Sequence, residues 1–325
     1  MILLTRPPAG SLLRHGVRGL ADVARRRRAG EQPARGPGAV FASLTAGLDR
    51  LGKPFQLNPS RLRGTTVVGV LSDLEALEAA IRWRRAVPQG RLLVGPNVAS
   101  LPSLAPVLMT APEIDVCVVP SEWVKREFER DSPDLIGRLA VWPAGVDVER
   151  WRPDGALPRQ TRRVVMFVKR LANHTSERVF DDAMLQATRQ ALEGAGLVVT
   201  TLHYSQFGPD VFARALDGAE FMVCFGYSET QGMALAEAWA MDVPTLVWNG
   251  GNTTWRTHTY QSSPAPYLTA ATGVEFRTIT ELQALVDRWE GLRSRFAPRD
   301  WVLANMTNEI CARSYWDLAH AFDQP

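Results

Sequence analysis

Short apolar runs alternate with amphipathic stretches along almost the whole chain, the pattern of α/β layers built on parallel sheets. In the first half, apolar runs at 2–5, 66–71, 92–95, 115–119 and 139–142 predict strands, with a further short one at 55–58. Helical spacing falls at 11–28, 40–51, 73–85 and 121–130, the last opened by Ser121 as a capping residue just after Pro120. Residues 152–158, reading RPDGALP, are turn formers without periodicity and predict a linker. A second series follows, with strands at 163–168, 197–202, 220–225 and 244–248 and helices at 176–194, 209–217 and 232–241. Helical patterns at 279–290 and 299–321 close the chain. The latter is amphipathic through Val302, Leu303, Met306, Ile310, Tyr315, Trp316 and Leu318, with room for one break. Two α/β domains of similar size predict a ligand cleft between them.

Composition narrows the class without changing that picture. With 325 residues, 46% hydrophobic and 22% charged, the chain fits two globular domains. A disordered chain, a collagen-like repeat and a disulfide-stapled miniprotein are excluded. Apolar runs such as Val116-Cys117-Val118-Val119 are too short to span a bilayer. The opening Met1-Ile2-Leu3-Leu4 meets Thr5-Arg6-Pro7-Pro8 at once, too short for a signal-peptide core. With three scattered cysteines (Cys117, Cys224, Cys311), that reading predicts a cytoplasmic protein.

Charge is uneven. Residues 1–36 hold eight arginines against Asp22 and Glu31, a balance of +6 within a chain total of +3, which leaves −3 for the rest. The stretch 14–36 is therefore a candidate for peripheral contact with an anionic membrane at its inner face, the alternative being a solvated helix end. Nucleic acid is the less expected partner. Only three of the 37 basic residues are lysines (Lys53, Lys125, Lys169).

Several motifs fail on inspection. Gly47-Leu48-Asp49-Arg50-Leu51-Gly52-Lys53-Pro54 has the frame of a phosphate-binding loop, but Pro54 stands where a hydroxyl should hold magnesium. Gly226-Tyr227-Ser228-Glu229-Thr230 lacks the final glycine of a nucleophile elbow. No G-x-G-x-x-G occurs, against a dinucleotide-dependent dehydrogenase. The five histidines and the cysteines show no metal-ligand spacing, and there is no D-x-D pair, so no metal and no cofactor is expected. The sequons at Asn173, Asn252 and Asn305 carry no meaning in a cytoplasmic chain.

The informative stretch runs from Cys224 to Val247. A buried strand delivers a loop with an acid, Glu229; a helix then begins near Gly232, where a glycine permits close backbone approach. The free amides of its first turn, with the helix dipole behind them, suit a diphosphate. Glu237, in the second turn, can accept two hydrogen bonds from a vicinal diol such as a ribose, and Glu229 can do the same for sugar hydroxyls.

Glu229 and Glu237 are separated by seven residues, and the stretch resembles the E-x7-E motif of retaining GT-B glycosyltransferases of the family 4 type. Val243-Pro244 after the helix, and Trp142-Pro143-Ala144-Gly145-Val146-Asp147 near the first domain's end, resemble the same family. The resemblance implies an α/β fold of two Rossmann-like domains with an interdomain cleft. Residues 1–152 would be the acceptor side, 153–300 the nucleotide-sugar side, and 301–325 a helix crossing back to the first domain. It implies transfer of a sugar, with retention, from a UDP- or GDP-sugar donor to a hydroxyl acceptor, with the sugar nucleotide as substrate and no further cofactor. Glu229 would bond the donor sugar and Glu237 the ribose. The segment Thr230, Gln231, Gly232 and Met233 would face sugar and phosphate.

The family's diphosphate-binding Arg corresponds to Arg170, whereas Thr175 stands where its Lys is expected, and Lys169 is the substitute. Gly10 and Ser11 occupy the place of the small-residue loop near the phosphates. Tyr204 would line the base pocket, and Asp73 and Asn97 would touch the acceptor. Each has a plain alternative: a solvated pair for Lys169 and Arg170, a helix cap for Asp73, a turn residue for Asn97, local packing for Tyr204. Trp248 and Trp255 read as core or rim, with Asn249-Gly250-Gly251 as a loop over the donor. A sugar-nucleotide epimerase or hydrolase of the same architecture, and a non-catalytic sugar-nucleotide binder, are the competing functions.

Overall fold

The apolar runs fold as strands because each is long enough to be covered on both faces and is bounded by turn formers. In the computed structural model, which describes residues 1–8, 36–154 and 162–321, two units form. One comprises Met1–Gly145 and Asn308–Pro325, the other Val146–Thr307. Residues 146–152 and 301–307 thus sit with the second unit, not the first. The expected helix at 11–28, Gly10, Ser11 and residues 14–35 lie outside the described residues.

The first unit holds β1 (Ile2–Leu4), α1 (Pro37–Arg50), β2 (Gln56–Leu57), β3 (Val67–Ser72), α2 (Leu74–Ala86), β4 (Arg91–Asn97), α3 (Pro106–Met109), β5 (Val116–Val119), α4 (Glu122–Asp131) and β6 (Leu139–Val141). Its six parallel strands lie in the order β2-β1-β3-β4-β5-β6. Ser121 does not cap α4 as its position predicts. The side chain makes no capping bond, and its hydroxyl is buried without a hydrogen-bond partner among the described residues.

The second unit holds β7 (Arg163–Lys169), β8 (His174–Ser176), α5 (Asp182–Gly194), β9 (Val198–His203), α6 (Pro209–Leu216), β10 (Phe221–Gly226), α7 (Met233–Ala240), β11 (Thr245–Trp248), β12 (Thr253–Trp255), β13 (His258–Tyr260), β14 (Gly273–Phe276), α8 (Ile279–Asp287), α9 (Trp289–Leu292) and α10 (Pro298–Asn305). Five strands make a parallel sheet in the order β14-β11-β10-β7-β9. On it packs a core of Phe180, Phe225, Trp248 and Phe276, with Phe180 edge-on to Trp248 at 5.1 Å.

Two expectations change here. The helix predicted over 176–194 starts only at Asp182, with Asp181 capping the Met184 amide at 2.7 Å, because His174–Ser176 pair antiparallel with β12 instead. The segment 249–251 is not an open loop. Gly250 accepts a hydrogen bond from the Arg178 amide, and Asn249 donates to Glu275 at 2.7 Å. With β13, strands β8 and β12 form a small antiparallel sheet in the order β13-β12-β8.

The final helix, α11 (Asn308–His320), belongs to the first unit. It lies so close to α1 that a Cβ added at Gly47 would sit 2.2 Å from the Asn308 carbonyl oxygen, so only glycine fits. Trp142 donates its indole N–H to the Cys311 carbonyl at 2.7 Å and meets Tyr315 edge-on. The predicted terminal helix is broken at Met306-Thr307. Its first part, α10, stays in the second unit, where Arg299 donates to the carbonyls of Trp151, Ala240 and Val148.

Candidate active site

In the second unit the chain forms β7, then β9 on one side of it, then β10 on the other, so the strand order reverses between β7 and β10. Doubly wound sheets bind ligands at the carboxyl ends of their strands where this reversal occurs. Lys169 ends β7, and its Cα partner is Gly226, which ends β10. The loop after Gly226 returns Glu229 to Lys169, whose Nζ donates to Oε1 at 2.7 Å and to Oε2 at 2.8 Å. The two side chains are 16% and 17% exposed, so this is a partly desolvated, charge-assisted pair. The ring of Tyr204, which follows β9, has the Lys169 ammonium 4.8 Å from its centroid. Burial disfavours the charge on Lys169, but the field and hydrogen bonds of Glu229, with Tyr204 adding to them, outweigh it. They hold the lysine above its ordinary value of 10.5.

The small antiparallel sheet props this loop. The Glu229 amide donates to the Ser263 carbonyl at 2.9 Å. Thr253 Oγ1 donates to the Tyr227 carbonyl at 3.0 Å and accepts from Ser262 Oγ at 2.7 Å. Beyond the loop, Gly232 adopts φ 72°, ψ 42°, a left-handed conformation that strains any residue with a Cβ. That turn starts α7, whose first intrahelical bonds run from Leu235 and Ala236 to the Gly232 carbonyl. The amides of Met233 and Ala234 precede them and have no acceptor within the helix. Lys169, Glu229, Gly232, Ala234 and Leu235 line one small pocket, so the ammonium and the positive end of α7 face the same space.

The other sequence-predicted residues fall as follows. Arg170 follows Lys169 but pairs with Asp182 at 2.7 Å, with its guanidinium 5.4 Å from the Phe180 ring centroid. Thr175 lies in β8, exposed, opposite Thr254. Thr230 is exposed, Gln231 buried and Met233 half-buried. Glu237 is half-buried on α7, between the buried Ala236 and Ala238. Asp73 and Asn97 belong to the first unit. Asp73 caps α2, accepting from the Ala76 amide at 3.0 Å, as the plain reading has it. Asn97 ends β4, and its Nδ2 is buried without a hydrogen-bond partner among the described residues. Sequence reasoning missed Asp182, Thr253 and Ser263. The Asp181-Asp182 pair at a helix start was a usable signal for the first, and nothing local marks the other two.

No protein-family model matches the chain, and no curated protein matches it. Solved structures do. A glycosyltransferase from Rickettsia africae ESF-5 superposes with a TM-score of 0.58 at 10% identity, over 98% of this chain and 97% of its own. HepE of Anabaena, in complex with UDP and glucose, gives 0.55 at 12% identity over 99% of both chains. Sucrose-phosphate synthase from Thermosynechococcus elongatus gives 0.53 at 12% identity, over 98% and 97%. The chain has the GT-B fold. Within that fold, the described residues contain no group of three or more His, Cys, Asp or Glu that could hold a metal ion. None of their helices is long and apolar enough to cross a membrane.

Proposed function

We propose that this chain is a retaining glycosyltransferase of the family 4 type, moving a sugar from a nucleoside-diphosphate donor to a hydroxyl acceptor. The observation that carries the reading is the Lys169–Glu229 pair at the strand reversal, sharing a pocket with the N-terminus of α7. The diphosphate sits on the Met233 and Ala234 amides and against Lys169, with Arg170 beside it. Glu229 bonds the transferred sugar, Glu237 the ribose, and Tyr204 lies by the base. Thr230 and Gln231 line the turn between the two acids.

The reaction needs fixed positive charge beside the leaving diphosphate. As the bond between the anomeric carbon and the diphosphate oxygen breaks, its electron pair leaves with the diphosphate, and fixed positive groups stabilise that developing charge. The acceptor hydroxyl oxygen forms the new bond on the face the diphosphate leaves, and its proton passes to the departing phosphate oxygen. HepE was solved with UDP and glucose, which supports a nucleoside-diphosphate sugar, UDP- or GDP-linked, as the donor here.

A thermal-melting screen against UDP, GDP, UDP-glucose and GDP-mannose tests this. A nucleotide at a hundred times its Kd adds about 2.7 kcal/mol and raises the melting temperature by several degrees. Glu237→Ala abolishes that rise, and free nucleoside diphosphate appears only when an acceptor is present. No shift with any of the four ligands contradicts the reading.

A further inference from the structure

Both cations offered to a diphosphate already hold a carboxylate, but the two pairs are unlike. Arg170 and Asp182 are 43% and 90% exposed, so water can replace either partner at little cost. Lys169 and Glu229 are 16% and 17% exposed and doubly bonded. An ammonium has three donors, and two of these are on Glu229. With two of its three donors on Glu229, Lys169 gives its full charge to a phosphate only as far as Glu229 lets go. What loosens Glu229 is a second claim on its oxygens. Sugar hydroxyls, which donate to carboxylates, make that claim.

We propose that Glu229 and the diphosphate compete for Lys169, so that the sugar of an intact donor, by engaging Glu229, releases the ammonium to the phosphates. Bare nucleoside diphosphate brings no sugar and must win Lys169 from the carboxylate. The pair therefore favours the loaded donor over the spent product and promotes product release. This rests on the reading of the site given above and adds to it a coupling between two subsites, which must be reciprocal.

Calorimetric titration of UDP and of UDP-glucose into wild type, Glu229→Gln, Lys169→Met and the double variant tests it, with GDP and GDP-mannose replacing them if melting favours guanosine. Glutamine keeps the shape of Glu229 and removes its charge. Glu229→Gln binds UDP about tenfold tighter than wild type, and the preference for UDP-glucose over UDP falls by a similar factor. In the Lys169→Met background the same change leaves UDP affinity unaltered. A gain that persists without Lys169 means that Glu229 merely repels phosphate, and it overturns the exchange. So does weaker UDP binding by Glu229→Gln, although the site reading survives that result. Wild type binding none of the four ligands removes the site reading and the exchange with it. If Glu229→Gln does not fold, Glu229→Asp, which draws the carboxylate back from Lys169, must also tighten UDP.

Discussion

The two parallel sheets share one strand order, with the second strand outside the first and the remainder following on the other side. Their carboxyl edges bring different side chains into contact. At the reversal point of the first sheet, Thr5 and Asn58 exchange hydrogen bonds at 2.8 and 2.9 Å, and Ser72 donates to the Thr5 carbonyl at 3.1 Å. These groups are uncharged and satisfy one another. At the same topological place in the second sheet stand a lysine and a glutamate beside a helix start. The sheet decides where a crevice forms, and two side chains at strand ends decide what enters it. A mutually satisfied neutral cluster stabilises its own edge, whereas a half-buried ion pair facing the first amides of a helix stays responsive to an incoming anion.

The sharpest way to break that contrast is Lys169→Met. It leaves the Glu229 carboxylate partly buried without its cation and should cost about 2–3 kcal/mol of unfolding free energy in a denaturant titration. It should also shrink the melting shift with UDP without abolishing it, since the Met233 and Ala234 amides still face the pocket. Asn58→Ala on the first edge should cost about 2 kcal/mol, through its hydrogen bonds with Thr5 and its φ of 51°, while nucleotide affinity stays unchanged. A parallel loss of nucleotide binding would erase the division of labour between the edges.

The pH dependence sharpens it further. A lysine raised above 10.5 contributes stability that is fully present below its unfolded value and is lost as pH rises through the folded one. The stability difference between wild type and Lys169→Met should thus be flat from about pH 6 to 9 and fade only above about pH 10.4. Fading already near pH 8 would mean that the pair does not hold Lys169 charged. The smallest effect belongs to Ser121→Ala. Removing a buried hydroxyl that has no hydrogen-bond partner should change stability by about 0.5 kcal/mol or less, or raise it slightly.

The central strands were legible because Val164–Val168 and Phe221–Phe225 are unbroken apolar runs, which only a doubly covered sheet can bury. The turn into α7 was legible too, since Gly232 punctuates the pattern at the left-handed residue. What escaped depends on partners distant in sequence. β8, β12 and β13 are three-residue strands rich in His, Thr and Trp, and they exist as strands only because they pair with one another. Lys169 and Glu229 could each be marked as candidates, but their bond joins positions 60 residues apart and follows from the strand register. Arg170 looked equivalent to Lys169 until Asp182 claimed it. Ser121 had the right place for a cap and instead lies buried, a choice of rotamer and packing that no local pattern encodes.

Hydrogen–deuterium exchange of the full chain, with and without saturating UDP, addresses the binding edge most directly. Slowed exchange should concentrate in peptides covering Phe167–Arg170 and Glu229–Ala236, while Thr5, Asn58 and Ser72 exchange as before. UDP binding that leaves both of those segments unprotected would place the anion elsewhere and contradict the account.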